Sequence, residues 1–175
     1  VFEHGVIVVA TGGREYQPSE HAYGKHKNVL TQLELEEKLA EGLIKPDEIK
    51  NVMMIQCVGS RSLKAGVQYC SSSCCVYATK EAILIREHNP DCEVYIFYND
   101  LKVFGKGFQD FVSRAQNEWG VKYIRALPGE VVKDPRTHDL SVWYEDTREN
   151  VTKNVQVDLV VLCPALVPRT ANKEL

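Results

Sequence analysis

Residues 51–75 read NVMMIQCVGSRSLKAGVQYCSSSCC. The run from Asn51 to Val58 is apolar and short, as expected of a strand buried on both faces. A loop with glycine and serine follows through Ser73. From Cys74 the pattern changes period: Ala78, Ala82 and Ile85 recur at helical spacing up to His88, and Asn89-Pro90 stops the helix. Glu93–Tyr98 (EVYIFY) is a second strand. Phe108–Trp119 is an amphipathic helix with Phe108, Phe111, Val112 and Ala115 on one face, closed by Gly120, and Val121–Ala126 is a third strand. Strand, helix, strand, helix, strand over 51–126 is a βαβαβ unit with a parallel sheet.

Outward from this core the signals are shorter. Val131–Lys133, Leu140–Glu145 and Asn154–Gln156 are candidate antiparallel strands, and Asp158–Cys163 (DLVVLC) is a closing buried strand. On the amino-terminal side, Gly5–Ala10 (GVIVVA) reads as a buried strand ending in Thr11-Gly12-Gly13. Residues 14–28 are polar loop. Thr31 with Glu34 three residues on forms a capping-box pattern for a helix that ends at Gly42. The expected fold is α/β: a Rossmann-like βαβαβ parallel sheet with an antiparallel β insertion. The arrangement looks like the smaller nucleotide-binding domain of two-domain flavoproteins, with Gly5–Ala10 as the last strand of the adjoining flavin domain. The divisions are then 1–30 (end of that domain and linker), 31–50 (helix and connector), 51–165 (the Rossmann-like domain) and 166–175 (a return segment).

The chain has 175 residues, 44% hydrophobic and 26% charged, enough apolar content for a core. Twenty-one basic against 24 acidic residues give a net charge of -3, which argues against a nucleic-acid or anionic-membrane binder. No apolar run approaches the roughly 20 residues of a membrane span. The opening VFEHGVIVVATGG has no signal-peptide pattern and reads as part of a longer chain. A cytoplasmic protein is expected.

The first βα turn is where the chemistry is unusual. A dinucleotide-binding unit carries Gly-x-Gly-x-x-Gly there. Here only Gly59 and Gly66 are present, so tight nicotinamide binding is not expected, and Asp100 after the second strand reads as an ordinary strand end. Thiols stand in place of the glycines: Cys57, Cys70, Cys74 and Cys75, spaced C-x12-C-x3-C-C. Four thiolates can bind zinc or a cubane iron–sulfur cluster, and a helix N-terminus favours both thiolates and a net-anionic cluster. The spacing matches neither zinc-ribbon knuckles nor the ferredoxin run. A structural zinc, a dithiol/disulfide module and inert core thiols stay open beside the cluster. Cys92 and Cys163 read as core thiols, and His4, His21, His26, His88 and His138 show no paired ligand spacing.

The stretches IQCVGSR, YCSSSCC and ATKEA resemble the FAD-containing iron–sulfur subunit of heterodisulfide reductase, as do TQLELE, VYIFYND and VDLVVLCPALVP. The resemblance covers nearly all of the chain. It implies a [4Fe-4S] cluster held by Cys57, Cys70, Cys74 and Cys75 within a thioredoxin-reductase-like flavoprotein domain that lacks a conventional nicotinamide site. It implies FAD in the complete protein, electron transfer between cluster and flavin, and partner subunits carrying further iron–sulfur clusters; a homodimer is compatible with it. The family's amino-terminal portion, the flavin domain's own glycine fingerprint and the ferredoxin-type cysteine runs are not in this sequence.

The same resemblance points five other residues at the flavin. Lys80 would face its ring, Glu34 and Glu36 would lie near it, and Thr11 and Gly12 would form the turn that packs beside FAD. Arg61 could hydrogen-bond or screen the cluster or a phosphate. Each has a plainer alternative: a solvated helix lysine, capping and surface acids, an ordinary strand-end turn, a loop arginine.

Overall fold

A computed structural model of the chain describes residues 3–136 and 139–170. His138 and the last five residues of the expected return segment, 171–175, lie outside the described residues. The elements in chain order are β1 (Gly13–Glu15), β2 (Val29–Thr31), α1 (Gln32–Ala40), β3 (Asn51–Val58), α2 (Cys74–His88), β4 (Glu93–Tyr98), α3 (Phe108–Asn117), β5 (Lys122–Arg125), β6 (Pro128–Lys133), β7 (Leu140–Asp146), β8 (Val151–Val157), β9 (Leu159–Pro164) and β10 (Leu166–Pro168).

A five-stranded parallel sheet, in the order β2-β9-β3-β4-β5, forms the middle layer. Its central strands β3 and β9 are apolar almost throughout because both of their faces are covered. On one face, Val52, Met54, Ile96, Val161 and Cys163 pack against Leu35 of α1, Cys74, Ala78, Ala82 and Ile85 of α2, and Ala115 of α3. On the other, Met53, Ile55, Phe97, Val160 and Leu162 pack against the antiparallel sheet β6-β7-β8 through Val131, Leu140, Val142 and Tyr144. The α/β class, the βαβαβ unit and the antiparallel insertion are as the sequence predicts.

Helix α1 starts with the predicted capping box. The Glu34 amide donates to Thr31 Oγ1 at 3.3 Å, and the Thr31 amide donates back to Glu34 Oε2 at 2.8 Å. Helix α3 is shorter than predicted and buries only Val112 and Ala115; Phe108 is 40% exposed.

One expectation is corrected. Gly5–Ala10 forms no strand, and Val6, Ile7, Val8 and Val9 are 69–84% exposed. A strand is a pairing, and among the described residues nothing lies alongside this run to supply the ladder. Val29–Thr31, of which the sequence marks only Thr31 as a helix cap, forms a parallel strand against β9, too short for alternation to show. The segments flanking the domain also meet: β1 pairs antiparallel with β10, Gly13 opposite Pro168.

Candidate functional site

Strand alternation carries Val52, Met54 and Gln56 to the helix face and Met53 and Ile55 to the other. At Cys57 the pattern breaks. Cys57 has φ 62, a left-handed backbone, and the pairing of β3 with β9 shifts register between Ile55 and Val58. Val58, which strict alternation would send to the helices, packs with Met53 and Ile55 instead. Such a bulge re-aims a side chain, and here it turns the Cys57 thiol toward the turn that follows. The next bend is tight: Gly59 has φ 68, and a Cβ there would strike the Tyr16 ring at 2.2 Å.

The turn from 59 to 73 is pinned at several points. Ser60 Oγ donates to the Tyr69 carbonyl at 2.8 Å, and the Leu166 amide donates to Ser71 Oγ at 2.8 Å. Arg61 and Ser72 are left-handed without being glycine. The Ser72 amide donates to Cys70 Sγ at 3.4 Å. Helix α2 then opens on Cys74 and Cys75, both buried, with no side chain capping it, so the partial positive charge of its N-terminus lies at these two residues.

Cys57, Cys74 and Cys75 influence one another's titration. Burial, and then the neighbouring Cys75 and Cys70, push the Cys57 thiol up, while Arg61 beside it acts in the opposite direction. Cys74 and Cys75 are coupled: the proton stays on Cys74, pushed up by its neighbour and by burial, and Cys75 is pulled down to about 7. The Lys102 backbone N–H also points at Cys75 and favours its thiolate. Arg61 in turn donates to Asp100 at 2.8 Å, so the acid after β4 anchors the arginine that borders Cys57.

Beneath the thiols lies a buried polar layer that the sequence reading did not single out. Gln32 Nε2 donates to the Cys74 carbonyl at 3.4 Å and to Glu81 Oε2 at 3.3 Å. Thr79 Oγ1 donates to the Cys75 carbonyl at 2.9 Å. Burial raises the Glu81 carboxyl to about 8, and its Oε1 has no partner. Both polar atoms of the Gln56 carboxamide, 2% exposed, are also without a partner. A glutamine in the otherwise apolar run MMIQCV was the visible signal.

The residues read as flavin-directed divide. Lys80 of α2 and Glu36 of α1 meet in an ion pair at 2.7 Å, and the Tyr77 hydroxyl donates to the same carboxylate. Lys80 Nζ lies 4.8 Å from the Tyr77 ring centroid. Glu34 is engaged in its cap and accepts from the Tyr23 hydroxyl at 2.7 Å. Thr11 and Gly12 are exposed and touch none of these groups.

Among the described residues no three Cys, His, Asp or Glu side chains close on one point as a metal ion would require. What the site does offer is a fit in donor chemistry: four neighbouring thiols, one already acidic, an uncapped helix N-terminus and an unpartnered buried amide. A mononuclear zinc needs its sulfurs about 2.3 Å from one centre, whereas a cluster spreads them over its outer corners.

The fold defines the class. The chain superposes on thioredoxin reductase of T. acidophilum with a TM-score of 0.55 and 16% identity, over 91% of this chain and 44% of that one. Thioredoxin reductase of Lactococcus lactis gives 0.54 at 15% identity, over 90% and 44%. This is the thioredoxin-reductase-like fold. No family model matches, but curated relatives narrow the class. The chain is 42% identical over 183 residues to the iron-sulfur subunit of the CoB–CoM heterodisulfide reductase of Methanocaldococcus jannaschii, covering 98% of this chain and 28% of that protein. It is 43% identical over 178 residues to the corresponding subunit of the H2:CoB-CoM heterodisulfide,ferredoxin reductase of Methanothermobacter marburgensis, covering 95% and 27%. The chain is homologous to a segment of this heterodisulfide reductase subunit and spans little more than a quarter of those relatives' length.

Proposed function

We propose that this chain is the cluster-bearing domain of a flavin and iron–sulfur oxidoreductase like the iron–sulfur subunit of heterodisulfide reductase. Cys57, Cys70, Cys74 and Cys75 would hold a [4Fe-4S] cluster and the complete protein would hold FAD; together these supply single- and two-electron transfer. The observation that carries the reading is the replacement of the phosphate-binding turn of a Rossmann unit by four cysteines, two on the strand tip and turn and two opening an uncapped helix N-terminus.

The chain's own residues prepare the site. Cys75, held below its ordinary value by the neighbouring Cys74, is the readier of the two to ligate as thiolate. Arg61 places a guanidinium at Cys57, and Asp100 fixes that guanidinium. Gln32 and Thr79 hold the carbonyls of Cys74 and Cys75, which fixes the pitch of the first helical turn and so the directions of both thiols. On the exposed side of α2, Glu36 and Tyr77 hold the Lys80 ammonium, the group we assign to the flavin. Electrons would pass to other iron–sulfur subunits in a cytoplasmic complex.

Iron and acid-labile sulfide, measured with visible absorption and electron paramagnetic resonance on oxygen-free protein, test this reading. About four irons and four sulfides are expected for this chain, lost in Cys74→Ser and retained in Cys92→Ala. A colourless protein with about one zinc, or with nothing after reconstitution, overturns it in favour of a structural zinc or a thiol module.

A further inference from the structure

The Gln56 carboxamide is buried, and among the described residues neither its nitrogen nor its oxygen has a hydrogen-bond partner. Leaving such a group unpaired costs about 1–3 kcal/mol, so an orphan of this kind in a tightly packed layer points to a missing partner. Its position says where the partner lies. Gln56 continues the Val52–Met54 face, which packs against Cys74 and Ala78 of α2. The neighbouring strand is β9, which pairs Leu162 with Ile55 and Pro164 with Val58 and brings Cys163 into the same packed layer as Cys74. The bulge at Cys57 begins one residue later, so Gln56 is the last regular residue of β3 before the thiols, and it lines one cleft with Cys57, Gly59, Ser60 and Arg61.

We propose that the Gln56 carboxamide donates an N–H to the sulfur-rich group held by Cys57, Cys70, Cys74 and Cys75, and that this bond raises the group's reduction potential. The inference rests on the cluster reading. A hydrogen bond to sulfur stabilises the reduced, more negative form, so potential rises with the number of such donors. The alternatives that share the geometry, such as a trapped water on the amide, leave the potential alone.

The test uses the full-length protein prepared without oxygen and two variants, Gln56→Met and Gln56→Glu. Stepwise dithionite reduction is followed by electron paramagnetic resonance on the signal that Cys74→Ser abolishes. In Gln56→Met the midpoint is expected to fall by about a tenfold change in the reduction equilibrium, about 59 mV for one electron. In Gln56→Glu, which turns a donor into an acceptor, it falls further or the signal is lost. Thermal unfolding of the cluster-free proteins gives a second readout: Gln56→Met removes two orphaned polar atoms and should raise the melting temperature. Opposite signs in the two measurements, more stable without the cluster and harder to reduce with it, are the signature a purely structural glutamine does not give. An unchanged midpoint in a variant that still binds iron overturns the inference and leaves the cluster reading standing. A wild-type protein that takes up no iron and sulfide overturns both.

Discussion

The β3 end and the turn from β3 to α2 hold three left-handed residues that are not glycine, Cys57, Arg61 and Ser72, beside left-handed Gly59 and Gly66. The turn from β4 to α3, residues 99–107, reaches the same conformation only at glycines, Gly105 and Gly107. Both turns deliver the chain to a helix whose N-terminus no side chain caps. The second follows the local rule, in which glycine takes the left-handed region without steric cost. The first breaks it at three places, each costing on the order of 1 kcal/mol. Each offender borders the thiols: one is a thiol itself, one contacts Cys57, and one donates its amide to Cys70. Strain of this kind persists where the side chain matters more than the backbone.

The helices after the two turns sharpen the contrast. α3 buries only Val112 and Ala115, while α2 buries Glu81 beneath its cysteines. With its carboxyl raised from 4.5 to about 8, the folded chain binds more protons than the unfolded one between those values. The contribution of Glu81 to stability is therefore fully present below pH 4.5 and is lost as pH rises through about 8. Glu81→Gln should be close to neutral at pH 5 and stabilising by about 1–3 kcal/mol at pH 9, read by urea unfolding of the metal-free protein. Equal effects at both pH values would show that the carboxyl stays charged, and the two helices would then differ in packing alone.

Reversing the two turns gives the next effect. Ser72→Gly should stabilise the metal-free protein by up to about 1 kcal/mol, and Gly107→Ala should destabilise it by about the same amount. No atom lies within 4 Å of the added Gly107 Cβ, so that cost isolates the backbone term. If Ser72→Gly is neutral or harmful, the bond from the Ser72 hydroxyl to the Cys70 carbonyl at 3.4 Å outweighs the strain even without a bound group.

How much of this the sequence disclosed depends on how local each feature is. The capping box at Thr31 and Glu34, the α2 stripe of Ala78, Ala82 and Ile85, and the doubly buried β3 are written within a few residues of each other, and the sequence predicts all three. So is the gathering of four cysteines at one turn, because a strand tip and the next helix start are adjacent in any parallel βα unit. Gly5–Ala10 has the composition of a strand, but its status depends on a partner that the run itself does not contain. β1 and β10 find each other across about 150 positions, which no periodicity reports. Glu81 sits in ATKEA like a surface acid; only the packing of α1 over α2 through Gln32 shows that it is buried.

The smallest effect lies on the outer side of the same helix. Lys80 and Glu36 are 43% and 47% exposed, and the ammonium, followed by the Tyr77 hydroxyl, holds the Glu36 carboxyl below its usual range. A depressed carboxyl stabilises the fold above its unfolded value of 4.5 and ceases to do so as pH falls through its folded value. An exposed pair contributes about 0.2–1 kcal/mol. Lys80→Ala should thus cost no more than this at pH 7 in dilute buffer, and almost nothing at pH 3 or in 1 M salt, where the screening length is about 3 Å. The exposed Arg114–Glu118 pair on α3, at 3.7 Å, provides the matched control. If Lys80→Ala and Arg114→Ala behave alike in stability, while only Lys80→Ala moves the flavin midpoint of the full-length protein, then Lys80 is held by Glu36 for the flavin and not for the fold. A loss above about 2 kcal/mol would instead make the lysine a structural member of the α1–α2 contact.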